Sequence, residues 1–202
     1  MRLGLFGGTF DPVHYGHLLL AECCREQCRL DQVRFMPAAV PPHKKKRTLT
    51  DAKSRIEMLE LAIGGHDALS VSDIEIQRGG VSYTVETLLS IKQQEPDKEL
   101  FFLMGADMLS DLPHWKEPEQ ICQLATPVVV CRPGMSEPDF QCLRGLVSAE
   151  RLEAIRQCQV EMPQIDIRSS DIRRRVAQGL SIRYQLPRAV EMSILTAKLY
   201  RD

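Results

Sequence analysis

Long hydrophobic runs are missing from this chain of 202 residues. No apolar stretch approaches the about 18 residues that a membrane-crossing helix needs, and strand-like sequence begins by Leu3 with no charged-then-apolar leader ahead of it. No membrane partner is expected, and the expected location is cytoplasmic. Charge of one sign is missing as well: 26 Lys and Arg stand against 27 Asp and Glu, a formal net charge of −1. Without a broad basic face, no nucleic-acid partner is expected. Aromatic residues are scarce at 5%, with a single tryptophan. The seven cysteines are odd in number and lack the spacing of a secreted disulfide framework, so free thiols are expected. Cys23, Cys24 and Cys28 cluster, but no further Cys or His stands at zinc-ligand spacing, and no protein-held metal is assigned. Repeats, low-complexity tracts and a linker are absent too. One domain over 1–202 is the expectation, its C-terminal helical portion covering about 169–202.

What is present alternates between two periods. Leu3–Phe6 is a short apolar strand, and Leu18, Leu19, Leu20, Ala21 and Cys24 fit a helix beginning near Tyr15. The β-prone Val33–Met36 completes a βαβ unit. A second helix carries Ala52, Ile56, Leu59 and Ile63 and stops at Gly64-Gly65. Leu69–Ile76 alternates as a strand would, Thr84–Gln94 forms a helix, and Leu100–Met104 has the continuous apolar run of a central parallel strand. Val128–Cys131 is another strand, Ala149–Gln157 a helix capped by Ser148, and Ile165–Ile167 a last short strand. Ser169-Ser170 caps a helix that stops at Gly179, and Pro187 begins the final one. This order predicts an α/β fold: a Rossmann-like, doubly wound, mostly parallel sheet with helices on both faces and a small helical C-terminal part.

Open α/β sheets bind ligands beyond the carboxyl ends of their strands, and the unusual residues cluster there. Gly7, Gly8, Thr9 and Phe10 follow the first strand and lead to His14 and His17 at a helix entrance. Paired glycines let main-chain N–H groups approach an anion, and the helix N-terminus adds positive potential. Isolated histidines are more often satisfied by local hydrogen bonds, but the glycine segment favours phosphate handling for this pair. Lys44 follows Pro41-Pro42-His43 in a stiff basic loop after the second strand. Gly105 and Asp107 follow the run from Leu100. Ser169, Ser170 and Arg173 follow the last expected strand, where helical spacing leaves only Arg173 beside that helix's N-terminus. Trp115 sits among polar residues, where stacking on a planar ring competes with a core role. Tyr83-Thr84 opens a helix whose amides could receive a carboxylate.

Gly7–His17 resembles the His-x-Gly-His signature of the nucleotidyltransferase superfamily. Pro41–Lys44, Ser82–Leu88, Met104–Asp107 through Trp115, Arg132-Pro133-Gly134 and Ile167–Arg173 resemble, in order, the motifs of bacterial nicotinate-nucleotide adenylyltransferases. The first motif is shared with pantetheine-phosphate adenylyltransferases and cytidylyltransferases; Ser-Tyr-Thr, Gly-Ala-Asp and the spaced Trp specify the branch. The resemblance implies transfer of AMP from ATP to nicotinate mononucleotide, giving nicotinate adenine dinucleotide and pyrophosphate. It implies Gly7, Gly8, Thr9, Phe10, Gly105 and Asp107 around the nucleotide, and His14, His17, Ser169, Ser170 and Arg173 on the ATP phosphates. Lys44 would meet substrate phosphate, with Tyr83, Thr84 and Trp115 at the nicotinate ring. His14, His17, Lys44 and Arg173 are the expected catalytic set. The family's last motif reads Ile-Ser-Ser-Thr before Ile-Arg, whereas Arg168 stands here at the first of those serines. With no nucleophile set beside a base and an acceptor oxygen already ionised, direct in-line attack is expected. Magnesium should arrive on the ATP phosphates, since no dense carboxylate cluster offers a cage. Other acceptors, pantetheine phosphate or nicotinamide mononucleotide, are rivals within the chemistry. A non-catalytic RNA-binding module is a rival outside it. The pattern fixes no oligomeric state.

Overall fold

The structure is a computed structural model and describes residues 1–41, 49–131 and 138–201. The roles expected of Lys44 and of Arg132-Pro133-Gly134 lie outside the described residues. Six strands, β1 (Arg2–Gly8), β2 (Gln32–Pro37), β3 (Leu69–Val71), β4 (Glu99–Gly105), β5 (Ala125–Cys131) and β6 (Gln159–Glu161), pair in parallel in the order β3-β2-β1-β4-β5-β6. Parallel neighbours need crossover connections, and the helices supply them. In chain order the helices are α1 (Tyr15–Gln27), α2 (Ala52–Ile63), α3 (Ile74–Arg78), α4 (Thr84–Gln94), α5 (Ala106–Leu109), α6 (Pro118–Leu124), α7 (Ala149–Arg156), α8 (Ser169–Ala177) and α9 (Arg188–Thr196).

Side-chain alternation along the strands divides the core between two faces. Phe101 and Leu103 of β4 pack with Val128 and Val130 of β5 against Leu20 and Cys24 of α1, Met58 and Leu59 of α2, Ile172 of α8 and Val190 of α9. Leu100, Phe102 and Met104 point the other way, with Leu3, Leu5 and Val129, onto Val85 and Leu88 of α4, Ile121 of α6 and Ile155 of α7. Helices cover both faces, as the alternation predicts. The terminal helices α8 and α9 belong to the first of these layers, with α9 packed along α2.

Four local expectations are corrected. Gly7 and Gly8 do not follow the first strand: they continue β1, in register with Met36 and Pro37. The alternating run Leu69–Ile76 is strand only to Val71; its second half enters α3 behind Asp73, and Gly79 and Gly80, both at positive φ, stop that helix. Glu75, one of the polar positions of that alternation, is buried and accepts a hydrogen bond from Thr87 Oγ1 at 2.8 Å. Ile165–Ile167 is not a strand. The sixth strand is Gln159–Glu161, an edge in which only Val160 is buried, so no hydrophobic run advertises it. Finally, Ser169 and Ser170 do not cap α8; Arg168 occupies the cap position and the serines form the helix's first turn.

Candidate active site

The order of strands places neighbours β1 and β4 at the point where the chain changes direction across the sheet, the place where such folds open a crevice. Their pairing ends at Leu5 and Phe102, although β1 runs on to Gly8 and β4 to Gly105. The sheet is therefore split at its carboxyl edge between the two glycine-ended strands. Gly7 lies over this split with the Phe102 ring 3.8 Å from where its Cβ would be. Gly8 is required for a different reason: Phe10 folds back beneath it, and a Cβ there would fall 2.8 Å from the ring. Phe10 adopts φ +47°, and its ring is 1% exposed among Phe6, Phe35 and His17. The ATP contact expected of Phe10 is thus restricted to its main chain, because the side chain is spent on the core.

After Phe10 the chain passes buried Asp11 and Pro12 and enters α1 at His14. The two imidazoles stack, with centroids 3.8 Å apart and planes 26° from parallel, while the Phe10 ring meets His17 edge-on at 5.1 Å. Gly16 makes room for this pair, since a Cβ would come within 3.0 Å of His14 Nδ1. The His14 main-chain N–H donates to His17 Nδ1 at 3.3 Å. An Nδ1 that accepts assigns the proton of a neutral ring to Nε2, which makes His17 Nε2 a donor. The positive end of α1 is not wholly available to a ligand, because the Tyr15 N–H donates to the Gln185 carbonyl at 3.1 Å.

The α8 segment arrives on the same loop. Ser169 Oγ donates to the Pro12 carbonyl at 2.9 Å, and the Arg173 guanidinium donates to the Asp11 carbonyl. His14, His17, Ser169 and Arg173 are therefore brought together around Asp11–His14. Ser170 is exposed. The next two arginines turn elsewhere, Arg174 to Asp171 at 2.9 Å and Arg175 to the Ser181 carbonyl at 2.8 Å. Arg168 pairs with Asp166 at 3.1 Å on the exposed side. Across the split, Gly105 caps the short α5, and Asp107 Oδ1 lies 2.5 Å from a Cβ built at Gly105, so the carboxylate folds back over the glycine.

The remaining expected residues form a second group. Tyr83 caps α4 and Thr84 is its first residue. Ser82 ties this helix entrance to the end of β2: its N–H donates to the Val40 carbonyl at 2.9 Å, and its Oγ accepts from the Ala39 N–H at 3.0 Å. Trp115 follows a 3-10 turn at Leu112–His114 and meets the Phe102 ring edge-on at 5.9 Å, so a single phenylalanine links the tryptophan to Gly7. Among the described residues the buried Trp115 Nε1 has no hydrogen-bond acceptor. Lys116 lies 4.8 Å above the Tyr83 ring and pairs with Glu86 at 2.7 Å, a bond that raises its pKa.

Two residues, Arg55 and Tyr200, escaped sequence reading. Buried Arg55 of α2 donates to the carbonyls of Thr9 at 3.0 Å, Ala38 at 2.8 Å and Thr50 at 3.0 Å, joining the segments after β1 and β2. Desolvation lowers its pKa, opposed by the Asp11 and Tyr200 side chains. Tyr200 Oη donates to Asp11 Oδ1 at 2.8 Å, and burial pushes the phenol pKa up. Only an arginine inside an otherwise amphipathic helix could have signalled this group. By contrast, an apolar cleft of about 580 Å³ between α1 and the end of α2, lined by Leu18, Leu19, Ala62 and Ile165, contains none of the expected site residues.

A split parallel sheet with stacked imidazoles, a guanidinium and glycine main chain at its mouth defines a nucleotidyltransferase-type site, and the chain belongs to the cytidylyltransferase-like family, whose model matches residues 5–175. Its particular branch within that family is the nicotinate-nucleotide adenylyltransferases. A relative from Thermomicrobium roseum is 47% identical over 99% of this chain and 92% of its own length, and one from Rhodopirellula baltica is 41% identical over 98% and 93%. Both are named probable nicotinate-nucleotide adenylyltransferases. The fold is shared with the Plasmodium falciparum nicotinic acid mononucleotide adenylyltransferase complexed with NaAD, at a TM-score of 0.75, 17% identity and coverage of 98% of this chain and 97% of that one.

Proposed function

We propose that the protein transfers the adenylyl group of ATP to nicotinate mononucleotide, forming nicotinate adenine dinucleotide and pyrophosphate for NAD synthesis. The observation that carries this reading is the split between β1 and β4. It has a cationic, donor-rich group on one side and an aromatic group on the other, joined through Phe102. The first group suits a triphosphate and the second a planar pyridine ring.

In this assignment Gly7, Gly8, the Thr9 and Phe10 main chain, Gly105 and Asp107 receive the nucleotide. His14, His17, Ser169, Ser170 and Arg173 receive its phosphates, and Tyr83, Thr84 and Trp115 receive the nicotinate ring. Lys44 contacts substrate phosphate. The acceptor phosphate oxygen is already ionised and attacks the α-phosphate in line, with no covalent enzyme intermediate and no general base. His17 Nε2–H and the Arg173 guanidinium stabilise charge as it grows on the α-phosphate and the departing pyrophosphate. The protein's guanidinium, hydroxyl and imidazole N–H donors fit phosphate oxygens, and magnesium carried by those oxygens would supply further charge neutralisation. An indole N–H with no acceptor among the described residues and the α4 amides offer hydrogen bonds to a pyridine carboxylate.

The test gives the pure protein ATP and magnesium with nicotinate mononucleotide, nicotinamide mononucleotide or pantetheine phosphate in separate reactions, and follows pyrophosphate. Release is expected with the nicotinate substrate first. No release with either pyridine mononucleotide rules the reading out.

A further inference from the structure

The loop Thr9–Pro12 is held from behind by two side chains that no motif includes. Arg55 reaches it from α2 and Tyr200 from the segment after α9. Both Arg55 and Asp11 are buried, so each needs the other's charge, and the phenol completes the set by donating to the carboxylate. The Tyr200 segment is itself unusual. Lys198 and Tyr200 both adopt positive φ, +54° and +61°, conformations that side-chain-bearing residues avoid unless contacts over-determine them. The contact made here is on a ligand-side loop, 189 residues away in sequence. The same Asp11 whose side chain accepts from Tyr200 offers its main-chain carbonyl to Arg173.

We propose that Tyr200 and Arg55 are positioning residues for the triphosphate half of the site. The phenol fixes the Asp11 side chain, the guanidinium fixes the Thr9 carbonyl, and through Asp11 the pair sets where Arg173 presents its charge. This rests on the assignment of that half to ATP. Neither residue touches substrate. Burial raises the Tyr200 pKa and so keeps the phenol protonated as a donor, and desolvation lowers that of Arg55 without removing its charge.

Tyr200→Phe keeps the ring and removes only the donor. Binding of magnesium-ATP is measured by calorimetry without any acceptor, beside steady-state KM values for both substrates and Tm. The expected result is a weakening of ATP binding of about 3- to 10-fold, the range of one hydrogen bond to a charged group diluted by transmission through a loop. The KM for ATP should rise in parallel while that for the acceptor stays put. In an Asp11→Ala background, which leaves the phenol no side-chain oxygen to donate to at that position, Tyr200→Phe should add nothing further, since the effect passes through that carboxylate. Arg55→Lys is the second variant: Nη1 donates to both the Thr9 and Ala38 carbonyls while Nε holds that of Thr50, and a single ammonium cannot replace both nitrogens, so ATP binding should again weaken. Unchanged ATP binding in both folded variants, equal losses for both substrates, or additive effects of Tyr200→Phe and Asp11→Ala would overturn the proposal. Wild-type protein that binds ATP but releases no pyrophosphate with nicotinate mononucleotide would instead defeat the activity assignment, leaving the ATP-binding comparison intact.

Discussion

The two halves of the site are built by different means. On the side proposed for the triphosphate, Arg55 of α2, Ser169 and Arg173 of α8 donate to the main chain that links β1 to α1, and Tyr200 after α9 donates to the Asp11 carboxylate. On the aromatic side, Tyr83 and Trp115 are set by ring packing, by Lys116 over Tyr83, and by a helix entrance pinned at Ser82. Directional bonds to a rigid backbone suit a reaction whose barrier depends on where charge develops. Ring packing suits a subsite that must recognise a flat face and tolerate small adjustments.

The largest separation between the halves should appear on substituting His17. If it acts on developing phosphate charge, His17→Ala lowers kcat by about 100- to 1000-fold with folding intact and with little change in acceptor KM. Near-normal turnover by the folded variant would erase the distinction. Trp115→Ala should reverse the pattern, raising acceptor KM by about 5- to 100-fold, the range of ring stacking, and leaving ATP binding unchanged when measured by calorimetry. Gly16→Ala tests how tightly the phosphate side is fitted. The new methyl group presses on His14 from 3.0 Å, and the overpacking should cost about 1–3 kcal/mol, read as a lower Tm together with a lower kcat.

The smallest effect belongs to a charged cluster outside both halves. Glu95 at the end of α4 is bonded by Arg34 at 2.7 Å and by Lys98, and these bonds lower its pKa from 4.5 to about 2. Its unfolded form takes up a proton at higher pH than the folded form. The cluster's contribution is therefore complete above about pH 4.5 and is lost as pH falls through about 2. Glu95→Gln should lower stability at neutral pH and flatten its decline across that acid window in equilibrium denaturation, with both substrate constants unchanged at neutral pH.

Much of this molecule is legible in the sequence because local pattern and tertiary role agree. The helix of Thr84–Gln94 matches the expected bounds, α2 stops at its glycines, and β4 is the apolar run expected of a central strand. Where they diverge, the reason is physical. Alternation over Leu69–Ile76 serves a strand and then a short helix whose Glu75 turns inward to Thr87. An edge strand with one buried side chain has no periodic signal. Ser169 looks like a cap, yet its hydroxyl is taken by the Pro12 carbonyl, and the serines lie inside the first helical turn. Arg55 meets Thr9 across 46 residues of chain and Tyr200 meets Asp11 across 189, separations that periodicity does not report.

The segment from Gly8 to His14 has a consequence for a chain whose bulk charge is −1. The carbonyl of Gly8 accepts from the Ala38 N–H, that of Thr9 from Arg55, that of Asp11 from Arg173, that of Pro12 from Ser169 and that of His14 from the N–H of His17. Each negative pole of the peptide chain engaged in this way is one fewer to repel a phosphate. Polyanion tolerance can thus be created by orienting and neutralising a handful of local dipoles, without a basic surface that would also attract nucleic acid.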